Sequence, residues 1–412
     1  MDYYSEEDKV STFNIIWLIL TVILILYSFF FQYAVKSFGG LMILLCGGII
    51  VFGTLQVFVI QRGRIEKSLL GPIVLFVFAA GIITIAISGQ GEYGSDLIIR
   101  MIEYVMTAYS IYLLLSTNRR YTDIVFWCIC LTITCLGLVS LFRGVVITSA
   151  GAKGIEGLNA NSMSNYFIIM TFCSFYLFWK KRRPFQNFLL VVMNVIVMIA
   201  QISAASRRGF IVLILFYILS LIFALIPYKS ENSSKRKYFR YMFLIVAMGI
   251  ALVFFQKYLL DNTVLGARLL GSFDGGDAAR TRYQEFAWEQ FLKHPVFGIG
   301  LGGIAYHMGA YSHSMYYELL SCTGLVLTLV FLIGFLRFGT KYLKMNRLYR
   351  KIGTEKNIIY ITAEALIFLL CLLISGYAVV MIYDFHFYIS VALLAAVYKN
   401  IEVNSGHNYL VE

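Results

Sequence analysis

The sequence predicts an all-α polytopic integral membrane protein of about twelve transmembrane helices, with a long outward loop holding an amphipathic helix before the tenth. Three observations predict it. Of 412 residues, 60% are hydrophobic and only 14% charged, whereas soluble domains carry roughly 25% charged residues. Apolar runs long enough to span recur along the whole length. Basic residues gather in alternate loops.

The N-terminal stretch MDYYSEEDKVSTFN is acidic and lacks the basic region of a signal peptide, and the run from Phe13 to Phe31 shows no small-residue cleavage pattern. It is expected to stay as the first helix. Further runs fall near 41–60, 69–88, 97–116, 124–141, 163–179, 188–203, 209–227, 241–260, 313–336, 358–381 and 386–398. The basic loops between them hold Arg62, Arg64 and Lys67; Arg119 and Arg120; Lys180 to Arg183; Lys229, Lys235, Arg236, Lys237 and Arg240; and the series from Arg337 to Lys356. By the positive-inside rule these loops and both termini are cytoplasmic. The net charge of +12 then reflects topology and anionic lipid headgroups rather than nucleic acid. All seven cysteines lie in apolar runs without a metal-type CxxC, so free thiols are expected. No internal repeat or low-complexity segment divides the chain. Residues 1–412 read as a single polytopic domain, with 261–312 as a long extracytoplasmic loop within it.

The remaining loops, 32–40, 89–96, 142–162, 204–208, 261–312 and 382–385, face outward by this assignment, and every chemically suggestive stretch falls among them. Arg207, Arg208, Arg268, Arg280 and Arg282 lie on the side the charge rule disfavours, and all are arginine. A planar guanidinium binds phosphate oxygens in pairs, which suits a diphosphate ligand. Arg280 to Lys293 has helical spacing, with Tyr283, Phe286, Ala287 and Phe291 on one side and Arg280, Gln284 and Trp288 on the next. It reads as an interfacial helix. HPVFGIGLGG follows, a tight turn whose N–H groups could cradle an anion or serve as a hinge, but not a nucleotide loop. His313 opens the tenth span as a proton acceptor, a phosphate ligand or a cap, and Glu318, about 1.4 turns further in and off the His313 face, could brace a neighbour rather than act on substrate. Arg207 and Arg208 occupy the short turn in QISAASRRGF. GIEGLNANSMSN enters the sixth span with three asparagines, where Asn159 and Asn161 suit either helix capping or sugar hydroxyls. Asp384 and His386, in IYDFHFY, read as a structural polar pair. Glu103 and Glu364 are intramembrane acids without an assigned role, Glu103 being paired with Arg100.

Taken together, four stretches resemble the O-antigen ligase / O-antigen polymerase superfamily of bacterial polysaccharide assembly: LNANSMSN, with Ala160 where proline is usual; the Ser-Arg-Gly turn of SRRGF, through Arg207; Arg280 ahead of an amphipathic helix ending in HPVFGIG; and His313 leading to Gly324 and Leu325, with Ser314 in place of asparagine. The matching part spans about 155 to 330. The resemblance implies a metal-independent glycosyltransferase of the bacterial plasma membrane, its active site outside. Such enzymes take undecaprenyl-diphosphate-linked oligosaccharides and no cofactor or nucleotide sugar. Polymerases transfer the growing chain onto a lipid-linked repeat unit, and ligases transfer it to a final acceptor. A flippase and a chain-length regulator of the same pathway are the implied protein partners. On this reading Arg207, Arg280 and His313 are catalytic, and Arg208, Arg282, Asn159, Asn161 and Glu318 bind substrate. A transporter of lipid-linked oligosaccharide is the reading from another class. It needs polar residues through the bilayer, whereas here the polar groups gather on one face.

Overall fold

The computed structural model describes residues 12–34, 39–63, 68–87, 91–142, 146–147, 153–154, 158–180, 183–225, 263–270, 278–353 and 356–404. The apolar run at 241–260, the basic block at 229–240 and the side chain of Arg268 lie outside the described residues. The helices are α1 (Thr12–Leu26, continued by a π turn at Tyr27–Phe31 and by Gln32–Ala34), α2 (Gly39–Leu55, continued by a π turn at Gln56–Ile60), α3 (Gly71–Ile87), α4 (Gly91–Thr117), α5 (Arg119–Phe142), α6 (Ala160–Trp179), α7 (Pro184–Ala204), α8 (Arg207–Leu225), α9 (Val264–Leu270), α10 (Ala278–Lys293), α11 (Gly303–Met308), α12 (Met315–Ile352), α13 (Lys356–Gly376) and α14 (Phe385–Asn404). Among the described residues, eight helices are long and apolar enough to cross a membrane, so the chain is a multi-pass, all-helical membrane protein. Among the described residues, the strand content is a two-residue pairing of β1 (Val146–Ile147) with β2 (Lys153–Gly154). All seven cysteines are free thiols.

Spanning helices must satisfy their own backbone, and their hydroxyls do not compete with it. Thr21, Thr84 and Thr171 donate to the carbonyls of Trp17, Ala80 and Phe167 at 2.7–2.9 Å, one turn back on their own helices. Helix ends follow local chemistry. Asn159 caps α6 by accepting from Ser162 N at 2.9 Å. Pro184 starts α7, where a missing N–H costs nothing. Ala205, at φ 53°, ends α7, and Ser206 caps α8 by accepting from Gly209 N at 3.3 Å.

α6 and α14 are buried almost all round and form the centre of the bundle. Phe172 of α6 stacks on Phe368 of α13 at 4.4 Å, and Tyr342 of α12 donates to Leu394 O of α14 at 2.6 Å. One end of the bundle is tied by Lys180 to Asp123, by Trp179 Nε1 to Glu364 at 3.0 Å, and by Asn400 Nδ2 to Thr122 at 2.9 Å. Arg119, Arg120 and Lys180 lie at this end, with the helix starts and stops that carry them.

α12 departs most from expectation. The sequence places a span at 313–336 and a basic loop beyond it, yet α12 continues past a kink at Gly324 to Ile352, 38 residues in all. Past Arg337 it turns amphipathic. Phe338, Tyr342, Met345, Asn346 and Tyr349 are buried at helical spacing, and the basic residues take the other faces. Asn346 Nδ2 donates to Ile359 O at 2.8 Å and to Thr362 Oγ1 at 2.7 Å, anchoring the extension to α13.

Candidate functional site

The opposite end of the bundle holds the start of α6, the α7–α8 turn, the starts of α10 and α12, and the end of α13. Arg208 sits at its centre. It is the second residue of α8, and its side chain is partly buried, with Nε shut off from solvent. It donates to Asn161 O at 2.6 Å and to Ser375 O, in the last turn of α13, at 3.2 Å. Its Nε is buried with no hydrogen-bond partner among the described residues. The nearest charge acting on it is another cation, Arg280, the third residue of α10. No carboxylate acts on it among the described residues.

This arrangement is electrostatically incomplete. A buried charge needs a partner. A cation at a helix N-terminus is also disfavoured, because that end carries about half a positive charge. Arg208 lies in the first turn of α8 and against the first turn of α6, and Arg280 in the first turn of α10. The carbonyls of Asn161 and Ser375 accept from Arg208, but neither brings a full negative charge. An anion placed here meets the site's empty Nε donor and the positive ends of three helices.

Close packing holds Arg208 in place. A side chain at Gly209 would overlap that of Ser164 and lie 2.9 Å from Gln201 Nε2. The glycine of SRRGF therefore lets α8 press on α6. Ser206 Oγ donates to Asn161 Oδ1 at 2.8 Å, and Gln201 Nε2 to Ser206 O at 3.2 Å. Four more buried polar atoms have no partner among the described residues: both amide atoms of Asn165, one turn below Asn161, and the hydroxyls of Ser314 and Ser375. Met315 lies against Gly376, bringing the start of α12 beside the end of α13.

α10 contributes one arginine and not the other. Its packed side holds Arg280, Tyr283, Gln284 and Ala287, while Arg282, Glu285 and Trp288 are exposed. His313 lies over this helix, its ring 5.7 Å from that of Tyr283. It has a left-handed backbone, φ 59°, which few non-glycine residues adopt and which concentrates at functional sites. Its side chain is exposed.

HPVFGIG proves to be a staple rather than an anion cradle, because its N–H groups are already spent. Ile299 and Gly300 donate to Ser321 O and Cys322 O at 2.9 Å. Leu301 donates to Thr84 Oγ1 and Gly302 to Tyr383 Oη, each at 2.9 Å. The acceptors are freed by a break in α12 at Gly324, φ 66° and ψ −177°. Leu325 N returns the pairing to Pro295 O at 2.8 Å. The two motifs His-Pro-x-x-Gly-x-Gly and Gly-Leu, distant in sequence, are thus halves of one joint.

Glu318 braces this joint and does not face the cluster. Its carboxylate is fully buried and accepts from Ser312 N at 2.9 Å, from Cys322 Sγ at 3.5 Å and from Tyr383 Oη at 3.4 Å. Burial pushes the Tyr383 hydroxyl well above the usual phenol range, so it remains a donor. Of the eight residues expected from sequence, Arg208, Asn161 and Arg280 meet, and His313 joins them through Tyr283. Arg207 is the partly buried first residue of α8. Asn159 is a cap, Glu318 a brace, and Arg282 points away. Sequence reasoning missed Asn165, Gln201, Ser314 and Ser375. Asn165 and Gln201 had a signal, being amides in apolar spans one turn from a polar turn. Ser375 had none, since its carbonyl makes the contact. A scan against protein-family models and a search of curated proteins found no match.

Proposed function

We propose that this protein is a polysaccharide polymerase that transfers a polyprenyl-diphosphate-linked glycan onto a lipid-linked repeat unit at the outer face of the bacterial plasma membrane. The observation that carries this reading is Arg208, its Nε buried and unpartnered, near Arg280 and three helix N-termini, with no carboxylate acting on it among the described residues. A diphosphate supplies the missing charge, and a membrane protein meets diphosphates on lipids. The site's place at the end of the bundle opposite Arg119, Arg120 and Lys180 supports an outward orientation, with both termini cytoplasmic and about twelve spans.

In the reaction the acceptor hydroxyl oxygen bonds to the anomeric carbon as the bond from that carbon to the diphosphate oxygen breaks. The hydroxyl proton passes to a base, for which His313 is the exposed titratable group beside α10. The leaving group is the polyprenyl diphosphate, and the two guanidinium groups meet the charge that grows on it. No metal is required by this scheme, since arginine forks do the work of a divalent ion on the leaving oxygens.

Purified protein in detergent is expected to bind a polyprenyl diphosphate, with inorganic diphosphate competing. Arg208→Ala is expected to abolish that binding. Arg282→Ala is expected to leave it within about twofold, the usual span of an exposed substitution at ~0.5 kcal/mol. Equal binding by wild type and Arg208→Ala refutes the assignment.

A further inference from the structure

A second polar cluster lies beside the first and is not used by the diphosphate chemistry. Its members are Asp384 and His386 at the start of α14, Tyr33 at the end of α1, Arg100, Glu103 and Tyr104 on α4, and Tyr166 on α6. Tyr166 follows Asn161 by five residues on the same helix, about 7.5 Å along its axis. Ser375, which Arg208 touches, and Asp384 bound the same short connection between α13 and α14.

His386 is almost fully buried and bonds at both ring nitrogens, Nδ1 to Asp384 Oδ1 at 2.9 Å and Nε2 to Ser28 O at 3.1 Å. The Ser28 carbonyl lies in the π turn of α1 and also accepts from Gln32. A carbonyl can only accept, so the Nε2 contact holds the ring with that nitrogen as donor and turns Nδ1 to the carboxylate. Arg100 and Glu103 lie one turn apart on α4, a pair of opposite charges.

Asp384 spends Oδ1 on His386 N at 3.0 Å and on the ring. Its other oxygen has no hydrogen-bond partner among the described residues, and the side chain is 26% exposed. The Asp384 charge acts on the hydroxyls of Tyr33, Tyr166 and Tyr104. Tyr33 and Tyr166 share a hydrogen bond at 2.8 Å. Aromatic faces run through the cluster: Tyr166 and Phe29 lie 4.2 and 4.3 Å from the His386 ring, and Tyr104 lies 5.3 Å from Phe385.

Among the described residues, no three His, Cys, Asp or Glu side chains converge to hold a metal. An accessible carboxylate oxygen, phenol hydroxyls and aromatic faces suit a ligand rich in hydroxyls with apolar C–H faces. We infer that this cluster is the subsite for the neutral saccharide of the acceptor, with Asp384 and Arg100 binding its hydroxyls next to the diphosphate site. The inference rests on the transferase reading for its term "acceptor", but not for the chemistry of its ligand.

The test uses the full-length protein and two probes: the host's repeat-unit oligosaccharide, freed from its lipid by mild acid, and a polyprenyl diphosphate. Saturation-transfer NMR or calorimetry reads each on wild type, Asp384→Asn, Arg100→Gln and Arg208→Ala. Asp384→Asn keeps an oxygen for His386, and Arg100 is exposed, so at least one of the two variants tests the site in a folded protein. Saccharide binding is expected to weaken at least tenfold in Asp384→Asn and severalfold in Arg100→Gln, and to be unchanged in Arg208→Ala. Saccharide binding absent in wild type, or unchanged in both first variants, overturns the inference. If diphosphate binding then still depends on Arg208, the transferase reading survives without it. If saccharide binding depends on Asp384 while diphosphate binding ignores Arg208, the subsite stands and the diphosphate assignment falls.

Discussion

Cells carrying Arg208→Ala are expected to make no long polysaccharide. Removing one preorganised donor from a developing negative charge costs roughly 3–4 kcal/mol, or about 10²–10³ in rate. Arg208 also bridges α6 and α13 through two carbonyls. Leaving buried carbonyls unpaired costs a further 1–3 kcal/mol or so in stability, so lost product alone does not separate chemistry from folding. Two companions do. Arg208→Lys keeps the charge but loses the fork that reaches both carbonyls and a phosphate together, and it is expected to recover only part of the activity. Arg280 is partly buried near the start of α10, and Arg280→Ala is expected to lose product at wild-type membrane levels. Normal chain length in both alanine variants, with both proteins present, contradicts the clamp.

Gly324→Ala is expected to inactivate through the staple rather than the site. Gly324 has φ 66°, and a Cβ there would collide with the Val296 backbone and lie 2.5 Å from Phe297 N. Left-handed strain on a side chain costs of order 1–3 kcal/mol, and here the obstructing atoms are backbone that cannot step aside. The buried residues beside this joint, Ala287, Ile304 and Cys322, form a small cluster apart from the main core, so the protein is expected to insert and to remain in the membrane. The segment 295–302 then loses its partners on α12, and with it go the fixed positions of α10 and the turn that carries His313. Hydrogen exchange reads this directly. The amides of Ile299 and Gly300, bonded to Ser321 O and Cys322 O, are expected to lose protection in the variant while those of α6 keep theirs. Unchanged protection at 299–300 contradicts the staple.

The multi-pass helical class was legible because a bilayer demands long apolar runs, and few sequences imitate them. The gathering of Asn161, Arg208 and Arg280 at one end was legible from charge alone, since the basic loops mark the opposite end. What sequence reading lacked was direction around a helix and pairing between distant segments. Arg280 and Arg282 are two residues apart, about 200° around α10, and only packing shows that Ala287 and Tyr283 turn Arg280 inward. The glycines of HPVFGIG suit a phosphate loop equally well until their N–H groups are traced to the broken α12. Glu318 stood between brace and substrate ligand because its partners, Ser312 N and Tyr383, come from a turn and from another helix connection. The basic tail of α12 was read as loop because its apolar positions are sparse, though they keep the helical period. Asp384 and His386 were taken for a structural pair, which holds for His386 and leaves one carboxylate oxygen over.

The central claim is that the Arg208–Arg280 site activates a lipid diphosphate as a leaving group. Purified protein incubated with lipid-linked repeat unit alone tests it most directly, with products separated by size and free polyprenyl diphosphate measured in parallel. The account predicts a ladder of lengthening glycans, with one polyprenyl diphosphate released per unit added, both absent in Arg280→Ala. Repeat unit recovered intact, with no diphosphate released whether or not a further acceptor is supplied, would contradict it.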